Sequence, residues 1–173
     1  ENIFFLVDPL DGTKEFISGK NEFTINIALF CNNVPEYGFI NAPALQKTYF
    51  NNSLWSYCQI LNDRLYHIMS RRNNYHFIQK TKKLGYKVEL SRSHFDKNTQ
   101  RFLNLLKIKN QNVSGSSIKI CNIADGSSNI YPRFGPTMEW DIAAGHAILK
   151  KAGGQIFNID GTILKYKKKK YKN

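Results

Sequence analysis

The stretch Asp8-Pro9-Leu10-Asp11-Gly12-Thr13 follows directly on the apolar run at residues 3–7 (Ile-Phe-Phe-Leu-Val). A short apolar run that stops at Asp-Pro is typical of a buried strand followed by a turn. Asp8 ends this strand and projects its carboxylate from the edge of the sheet, and Pro9 turns the chain so that Asp11 returns toward the same point. The sequence therefore predicts two neighbouring carboxylates at the edge of a sheet.

The same turn carries groups that suit a metal ion and a phosphate. Carboxylates, together with the outward carbonyl of Leu10, are the oxygen ligands that Mg²⁺ prefers. Gly12 allows close backbone approach, and the amides of Gly12, Thr13 and Lys14 can cradle a phosphate where a helix or turn begins. Because Asp-x-x-Asp-Gly is also common turn chemistry, this stretch alone favours neither a binding site nor a capped turn.

A second acidic stretch lies far along the chain, at Glu139-Trp140-Asp141-Ile142-Ala143-Ala144-Gly145. The pattern places Asp141 at the N-terminus of a helix, with small residues behind it that allow close packing. In that position Asp141 can be simply an N-cap. The helix is expected to stop at Gly153-Gly154, a normal glycine ending.

Predicted strands and helices alternate over much of the remaining chain, which indicates an α/β or layered α+β fold. The further strands are predicted at residues 23–30, 37–41, 47–50, 88–90, 129–131 and 155–158. Asp96 is expected to cap a helix with Phe102, Leu103, Leu105 and Leu106 on its buried side, and another helix is expected at about residues 117–124. The segment 51–84 is the least readable and is predicted to hold short strands and a variable loop.

Length and composition exclude several classes of protein. The chain has 173 residues and is 42% hydrophobic, which suits one domain, or a large piece of one, and excludes a disordered or collagen-like protein. No apolar run approaches the roughly 18–20 residues of a membrane-spanning helix, and we expect no secretory signal. The three cysteines form no Cys-x-x-Cys pair, so we expect reduced thiols of a cytosolic protein rather than a zinc site or disulfides.

The net charge of +12 is concentrated at the C-terminal end. Six lysines lie in residues 165–173, which we predict to be a basic tail following a single domain at residues 1–164. A basic surface can attract nucleic acid or any polyanion. The abundance of Asn, Ile, Lys, Tyr and Phe is typical of an AT-rich genome, and we favour compositional drift plus a solvated tail.

Together, the acidic stretches and the later Ala152-Gly153-Gly154 resemble the motifs of the inositol monophosphatase-like superfamily of Mg²⁺-dependent, lithium-sensitive phosphatases. The nearer resemblance is to its 3′(2′),5′-bisphosphate nucleotidase branch, of the bacterial CysQ type. It is carried by Lys14-Glu15-Phe16-Ile17, Glu22-Phe23-Thr24-Ile25-Asn26-Ile27-Ala28, Ser91-Arg92-Ser93-His94, Gly115-Ser116-Ser117-x-Lys119 and Tyr131-Pro132-Arg133-Phe134-Gly135-Pro136-Thr137. The resemblance covers about residues 3–165 and implies the layered α/β/α/β/α sandwich of the sugar phosphatases.

The resemblance also implies a role for each residue of the acidic motifs. Metal ligands would be Asp8, the Leu10 carbonyl, Asp11 and Asp141. They would hold two or more Mg²⁺ ions, about 3.5–4 Å apart, that generate hydroxide and stabilise the leaving oxygen. Catalysis would rest on Asp11 and on Thr13, which would orient or help to deprotonate the attacking water.

Substrate contacts follow from the same resemblance. The scissile phosphate would lie against Leu10, Asp11, Asp141 and the amides of Gly12 and Thr13. The rest of a nucleotide would be gripped by His94, Ser116, Lys119 and Arg133. Arg133 can bind a second phosphate through two hydrogen bonds, and Lys119 can add a point charge.

One part of the family pattern is missing from this sequence. The family draws a metal-bridging Glu, and an acid that works with the threonine, from a segment before the first aspartate motif, and Glu1 is too close to Asp8 to serve. The chain opens without Met, on what resembles the middle of a folded element. We therefore expect an N-terminally incomplete chain, or a decayed gene, with one sheet face uncovered and little activity from these residues alone.

The function that this sequence favours is hydrolysis of the small molecule adenosine 3′,5′-bisphosphate to AMP and phosphate, in sulfur assimilation. An inositol or other sugar phosphate monophosphatase is the alternative enzyme. A basic nucleic-acid-binding protein rests on charge alone, since no stacking platform or binding motif is present, and we expect no specific nucleic-acid partner. The intact aspartates and Thr13 argue against a degenerate pseudo-enzyme. We expect a cytoplasmic protein, with peripheral attachment to the cytoplasmic face of the inner membrane as an alternative.

Overall fold

A six-stranded antiparallel sheet forms the larger half of the computed structural model, which describes residues 2–60, 65–68, 85–167 and 169–173. Its strands follow one another in chain order and each pairs with the next. They are β1 (Ile3–Asp11), β2 (Thr24–Cys31), β3 (Val34–Ala42), β4 (Lys47–Asn51), β5 (Ser56–Ile60) and β6 (Leu65–Ile68). The short helix α1 (Thr13–Ile17) lies between β1 and β2, so the first acidic motif stands at a strand-to-helix junction.

An irregularity in the ladder between β1 and β2 shapes the acidic motif. Asp8 pairs with Asn26 and Asp11 pairs with Thr24, so the stretch from Asp8 to Asp11 holds one more residue than its partner stretch. This is a β-bulge, which accommodates Pro9 because the bulged residue does not need to donate to the ladder. The predicted strand is therefore confirmed and continues past Asp8-Pro9 to Asp11.

The smaller half is a two-stranded parallel sheet of β7 (Lys87–Ser91) and β8 (Asn110–Ser114). Parallel strands need a crossover, and α2 (Lys97–Leu105) provides it. Asp96 caps this helix by accepting a hydrogen bond from the Thr99 amide at 2.7 Å, as predicted. The sequence Asn-Gln-Asn-Val-Ser of β8 has too few apolar residues to indicate a strand, which is why sequence reasoning missed it.

The main core lies between the large sheet and two helices, α3 (Ile118–Ala124) and α4 (Glu139–Lys151). Its buried residues include Phe30, Ile40 and Ile148. Both helices begin close to where the sequence predicted them. They bring residues 117–119 and Asp141 to the end of the sheet that carries the first acidic motif.

Near the first acidic motif, the sheet face that packs against the helices is more polar than the opposite face. Thr24 and Asn26 are buried there, and both share hydrogen bonds with the Ser117 hydroxyl, at 2.8 Å and 2.7 Å. The alternating residues of β2 thus turn small or polar side chains toward the helices. Ile25, whose side chain points the other way along the strand, is exposed on the opposite face.

That opposite face is uncovered among the described residues. Ile3, Phe5, Val7 and Phe39 are exposed on it, with Phe5 66% accessible. The prediction that residues 3–7 form a buried strand is therefore wrong for alternate side chains, which are exposed. The expectation of an uncovered sheet face agrees with this arrangement.

Smaller expectations about α2 and two strands also need correction. Leu105 and Leu106 are exposed at the end of α2. Of the side chains predicted on the buried side of this helix, only Leu103 is fully buried, in a second core with Val88 and Leu90. Residues 129–131 and 155–158 form single bridges, at Ile130 and Phe157, instead of strands. Of the segment 51–84, β5 and β6 confirm the predicted short strands, and residues 61–64 and 69–84 lie outside the described part of the chain.

The lysine-rich segment 165–173 contacts α4 and the residues just before it. Nδ1 of His146 lies 2.8 Å from the Tyr166 hydroxyl, and the Lys167 amide donates to Glu139 at 3.0 Å. The Asn173 amide donates to the Thr137 carbonyl at 2.8 Å. At these residues the segment is packed against the protein and is not a solvated extension.

All three cysteines are free thiols. No helix within the described ranges is long and apolar enough to cross a membrane.

Candidate metal and substrate site

Asp8, Asp11 and Asp141 meet at one end of the large sheet. Each offers a carboxylate oxygen, and these oxygens all lie within 4.8 Å of one another. Asp8 and Asp11 come from the bulged end of β1, and Asp141 comes from the first turn of α4. The two acidic motifs, more than a hundred residues apart in sequence, thus form one cluster of oxygen donors.

Local hydrogen bonds fix the direction of each carboxylate. Asp8 accepts from the Leu10 amide at 3.0 Å, and Asp11 accepts from the Asn26 side chain at 3.4 Å. Asp141 is the third residue of α4 rather than its N-cap, and it accepts from the Met138 amide at 2.8 Å. Each carboxylate is held in place and still has oxygen lone pairs for a further partner.

Burial and mutual repulsion make this cluster unfavourable without a cation. Burial raises the pKa of Asp11 to about 6, against an attraction by Lys119, and the charges of Asp141 and Asp8 raise it further. Burial also raises the pKa of Asp8 and of Asp141. A hard divalent cation compensates such a set of charges, so the donor set fits Mg²⁺.

Leu10 and Thr13 stand beside the carboxylates. The Thr13 hydroxyl donates to the Leu10 carbonyl at 3.2 Å, so an alcohol and a carbonyl oxygen are already adjacent there. Gly12 between them has φ +82°, and a Cβ on it would lie 2.8 Å from the Glu22 carbonyl oxygen. Only glycine fits this left-handed turn, which brings the backbone against the neighbouring loop.

All of the predicted site residues line a single cavity of about 380 Å³. The acidic motifs form one wall. The other wall carries His94, Ser116, Lys119 and Arg133. His94 and Ser116 come from the loops after β7 and β8, Lys119 from the first turn of α3, and Arg133 from the loop before α4. The fold therefore brings together every residue that was predicted for the site.

Lys119 is a buried cation in this second wall, only 7% exposed. Its ammonium group donates to the Ser116 carbonyl and lies 5.6 Å from the centre of the Tyr131 ring. Burial lowers the pKa of Lys119, and the charges of Asp11 and Glu15 oppose that effect. A buried ammonium group aimed at a cavity is well suited to bind an anion.

Arg133 is held by backbone carbonyls. Its guanidinium donates to the carbonyls of His94 at 3.3 Å and Pro136 at 2.9 Å. Its Nε is buried and has no hydrogen-bond partner among the described residues. Burial, and then the positive charge of Arg133, lowers the pKa of His94. The loop is thus arranged around a guanidinium that retains an unused donor.

Sequence reasoning assigned no role to several residues of the cavity. Glu15 is buried at its edge and accepts a hydrogen bond from the Ser93 hydroxyl, and Tyr131 and Trp140 line the cavity. In the sequence, only their position indicated these residues, because each lies within or next to one of the motifs. Their burial depends on how the two sheets meet, which no local pattern contains.

Comparisons with known proteins agree with this geometry. The sequence model of the inositol monophosphatase family matches residues 1–172. The 3′(2′),5′-bisphosphate nucleotidase CysQ of Salmonella typhimurium is 39% identical over 94% of this chain and 62% of its own. That of Buchnera aphidicola is 38% identical over 95% of this chain and 58% of its own. This chain therefore spans less than two thirds of the length of these relatives.

Solved structures give the same result. The crystal structure of CysQ from Bacteroides thetaiotaomicron superposes with a TM-score of 0.77 at 36% identity, over 99% of this chain and 67% of that one. An inositol monophosphatase from Anabaena superposes with a TM-score of 0.73 at 25% identity, over 95% of this chain and 64% of that one. The predicted layered α/β fold is therefore confirmed.

Proposed function

Since this chain belongs to the inositol monophosphatase family, we propose that the protein is a Mg²⁺-dependent phosphatase that hydrolyses adenosine 3′,5′-bisphosphate to AMP and phosphate. The observation that carries the proposal is the composition of the cavity, where the carboxylate cluster faces Lys119 and Arg133. A bisphosphate nucleotide has one phosphate for each side of such a cavity. The CysQ relatives, named as 3′(2′),5′-bisphosphate nucleotidases, support the same substrate.

Asp8, Asp11, Asp141 and the Leu10 carbonyl would hold the metal in this proposal. Bound Mg²⁺ supplies positive charge to the phosphate and lowers the pKa of water so that hydroxide is available. The three carboxylates would compensate the positive charge of the metal ion, whereas neutral amides or alcohols at these positions would not.

The residues of the first wall would bind and orient the reacting phosphate. The amides of Gly12 and Thr13 would donate to its oxygens at the start of α1. The Thr13 hydroxyl, which rests against the Leu10 carbonyl, would orient the attacking water. The water oxygen forms a bond to phosphorus as the bond to the 3′-oxygen of the ribose breaks, and that oxygen receives a proton to complete AMP.

The second wall would recognise the rest of the nucleotide. Arg133 would bind the 5′-phosphate through its guanidinium, whose Nε has no partner among the described residues, and Lys119 would add charge. His94 would contact the nucleoside from the adjoining loop. A free sugar phosphate has no second phosphate for this wall.

An inositol or sugar phosphate monophosphatase is the second candidate, favoured by the superposition on the Anabaena enzyme. The two functions separate in a side-by-side assay of adenosine 3′,5′-bisphosphate and inositol 1-phosphate, with Mg²⁺ and with a chelator. We expect kcat/KM to be higher for the bisphosphate by tenfold or more, and activity to vanish with the chelator. Preference for inositol phosphate would overturn the proposed substrate, and full activity in chelator would overturn the metal.

A further inference from the structure

Glu22 lies outside the cavity, between the two halves of the molecule. It stands in the loop between α1 and β2, and its backbone packs between two glycines. A Cβ on Gly12 would lie 2.8 Å from the Glu22 carbonyl oxygen, and a Cβ on Gly115 would lie 2.7 Å from the same atom. The first glycine belongs to the acidic wall and the second begins the loop of Ser116, so Glu22 is where these two walls meet.

The Glu22 side chain is hydrogen-bonded to the loops of the second wall. Its carboxylate accepts two hydrogen bonds from Arg92, at 2.6 Å and 2.8 Å, and one from the Gly115 amide at 2.9 Å. The hydrogen bonds and positive charge of Arg92 lower the pKa of Glu22, so the carboxylate is ionised at neutral pH. Bidentate guanidinium–carboxylate pairs are strong and directional compared with other surface ion pairs.

Arg92 in turn joins the ends of the two parallel strands. Its guanidinium donates to the Val113 carbonyl at 3.1 Å, and its amide donates to the Ser114 carbonyl at 3.1 Å. Arg92 therefore links the loop that carries His94 to the loop that carries Ser116. With Glu22, it connects both loops to Gly12.

The loop held in this way is conformationally strained. Ser116 has φ +43°, a left-handed conformation that side chains other than glycine rarely adopt. Such a residue persists only where its surroundings fix it, and strained residues cluster at binding sites. The Gly115 amide, which donates to Glu22, belongs to the residue immediately before Ser116.

From these contacts we propose that Glu22, acting through Arg92 and Gly115, is a positioning residue. Glu22 sets the distance between the wall formed by the acidic motifs and the second wall, which carries Lys119 and Arg133. It touches neither metal nor substrate. Its role rests on the proposed function, because a fixed distance between the walls matters for a substrate that carries two phosphates. A small monophosphate ester needs the acidic wall alone.

The experiment compares Glu22→Gln with Glu36→Gln in the full-length protein. Glu36 is the matched control, because it also forms an ion pair, 3.0 Å from the Lys151 ammonium, and does not line the cavity. KM and kcat are measured for adenosine 3′,5′-bisphosphate and for p-nitrophenyl phosphate. Hydrogen exchange is followed at the amides of residues 115–119.

We expect Glu22→Gln to raise KM for the bisphosphate about tenfold, the effect of weakening a charge-assisted contact, with KM for the small ester changed less than about twofold. Amides 115–119 should exchange faster, and Glu36→Gln should change neither measurement. Arg92→Lys keeps the charge but loses the two-pronged contact, so it should show the same pattern, which covers the case that Glu22→Gln does not fold.

Two results would overturn the proposal. One is equal loss on both substrates, which means that Glu22 only stabilises the fold. The other is unchanged exchange at amides 115–119. If the unaltered protein does not hydrolyse the bisphosphate, the proposed function fails, and the exchange measurement alone then decides the role of Glu22.

Discussion

Gly38 on β3 packs directly against the backbone of Ala144 on α4. A Cβ on Gly38 would lie 2.1 Å from the Ala144 carbonyl oxygen, a separation that no real contact shows. The helix that carries Asp141 therefore lies on the sheet at a distance that only glycine permits. Because Ala144 lies one turn after Asp141, this contact helps to position one of the three carboxylates of the cluster.

Gly38→Ala should consequently lower the free energy of unfolding and weaken Mg²⁺ binding together. The backbone of α4 has to move, and overpacking of this kind costs about 1–3 kcal/mol. Urea unfolding measures the first effect and calorimetric titration with Mg²⁺ measures the second. Gly161→Ala is the control, since Gly161 has φ +82° but nothing within 4 Å, and it should alter stability without altering Mg²⁺ affinity.

Asp11→Asn should abolish turnover and weaken Mg²⁺ binding by tenfold or more, because a neutral amide is a poorer ligand for a hard cation. Asp160→Asn is the matched control. Asp160 accepts from Thr162 in an exposed turn far from the cluster, so its replacement should leave both quantities unchanged. Activity retained by Asp11→Asn at ordinary Mg²⁺ would make Asp11 only a turn residue.

The grouping of the candidate site residues was predicted better than the burial of the strands. Local patterns predicted the strand before Asp8 and the helix start near Asp141, and every residue to which a site role was assigned lines the cavity. The bulge that carries β1 on to Asp11 was not predicted. The orientation of β2 could not be predicted in the same way. Its apolar Ile25 faces outward, because Thr24 and Asn26 find a partner in Ser117, far away in sequence.

Strand β8 was missed for a related reason. Its residues are mostly polar, and the strand is stabilised by parallel pairing with β7 through a helix crossover. Asn112 contributes by donating to Glu89, a buried carboxylate of β7, at 2.9 Å. Such a strand depends on partners that a local reading of hydrophobicity does not include.

Arg133→Ala should raise KM for adenosine 3′,5′-bisphosphate much more than KM for p-nitrophenyl phosphate. Losing a charge-assisted contact costs about 1.5–3 kcal/mol, which corresponds to about 10- to 150-fold. Arg133→Lys should recover part of the loss, because it restores the charge without the planar donor set. Arg101→Ala, on the exposed side of α2, is the control. Equal losses on both substrates would give Arg133 a structural role and favour the sugar phosphatase.

The buried His146 makes stability depend on pH. Burial, followed by the charge of Lys150, lowers the pKa of His146 to about 4, whereas the unfolded chain keeps it near 6.5. The unfolded state therefore binds the proton more tightly, and this histidine destabilises the fold as pH falls from about 6.5 to about 4. The expected loss is about 3 kcal/mol, while Asp11, whose pKa is raised to about 6, acts in the opposite direction.

His146→Gln isolates that contribution, since glutamine can still hydrogen-bond to the Tyr166 hydroxyl and does not titrate. We expect the variant to be less stable than the unaltered protein at pH 7, because a well-packed ring is lost. Urea unfolding at a series of pH values should show this difference shrinking, and then reversing, as the pH approaches 4.5. A difference that stays constant across the series would mean that His146 does not remain neutral in the folded protein.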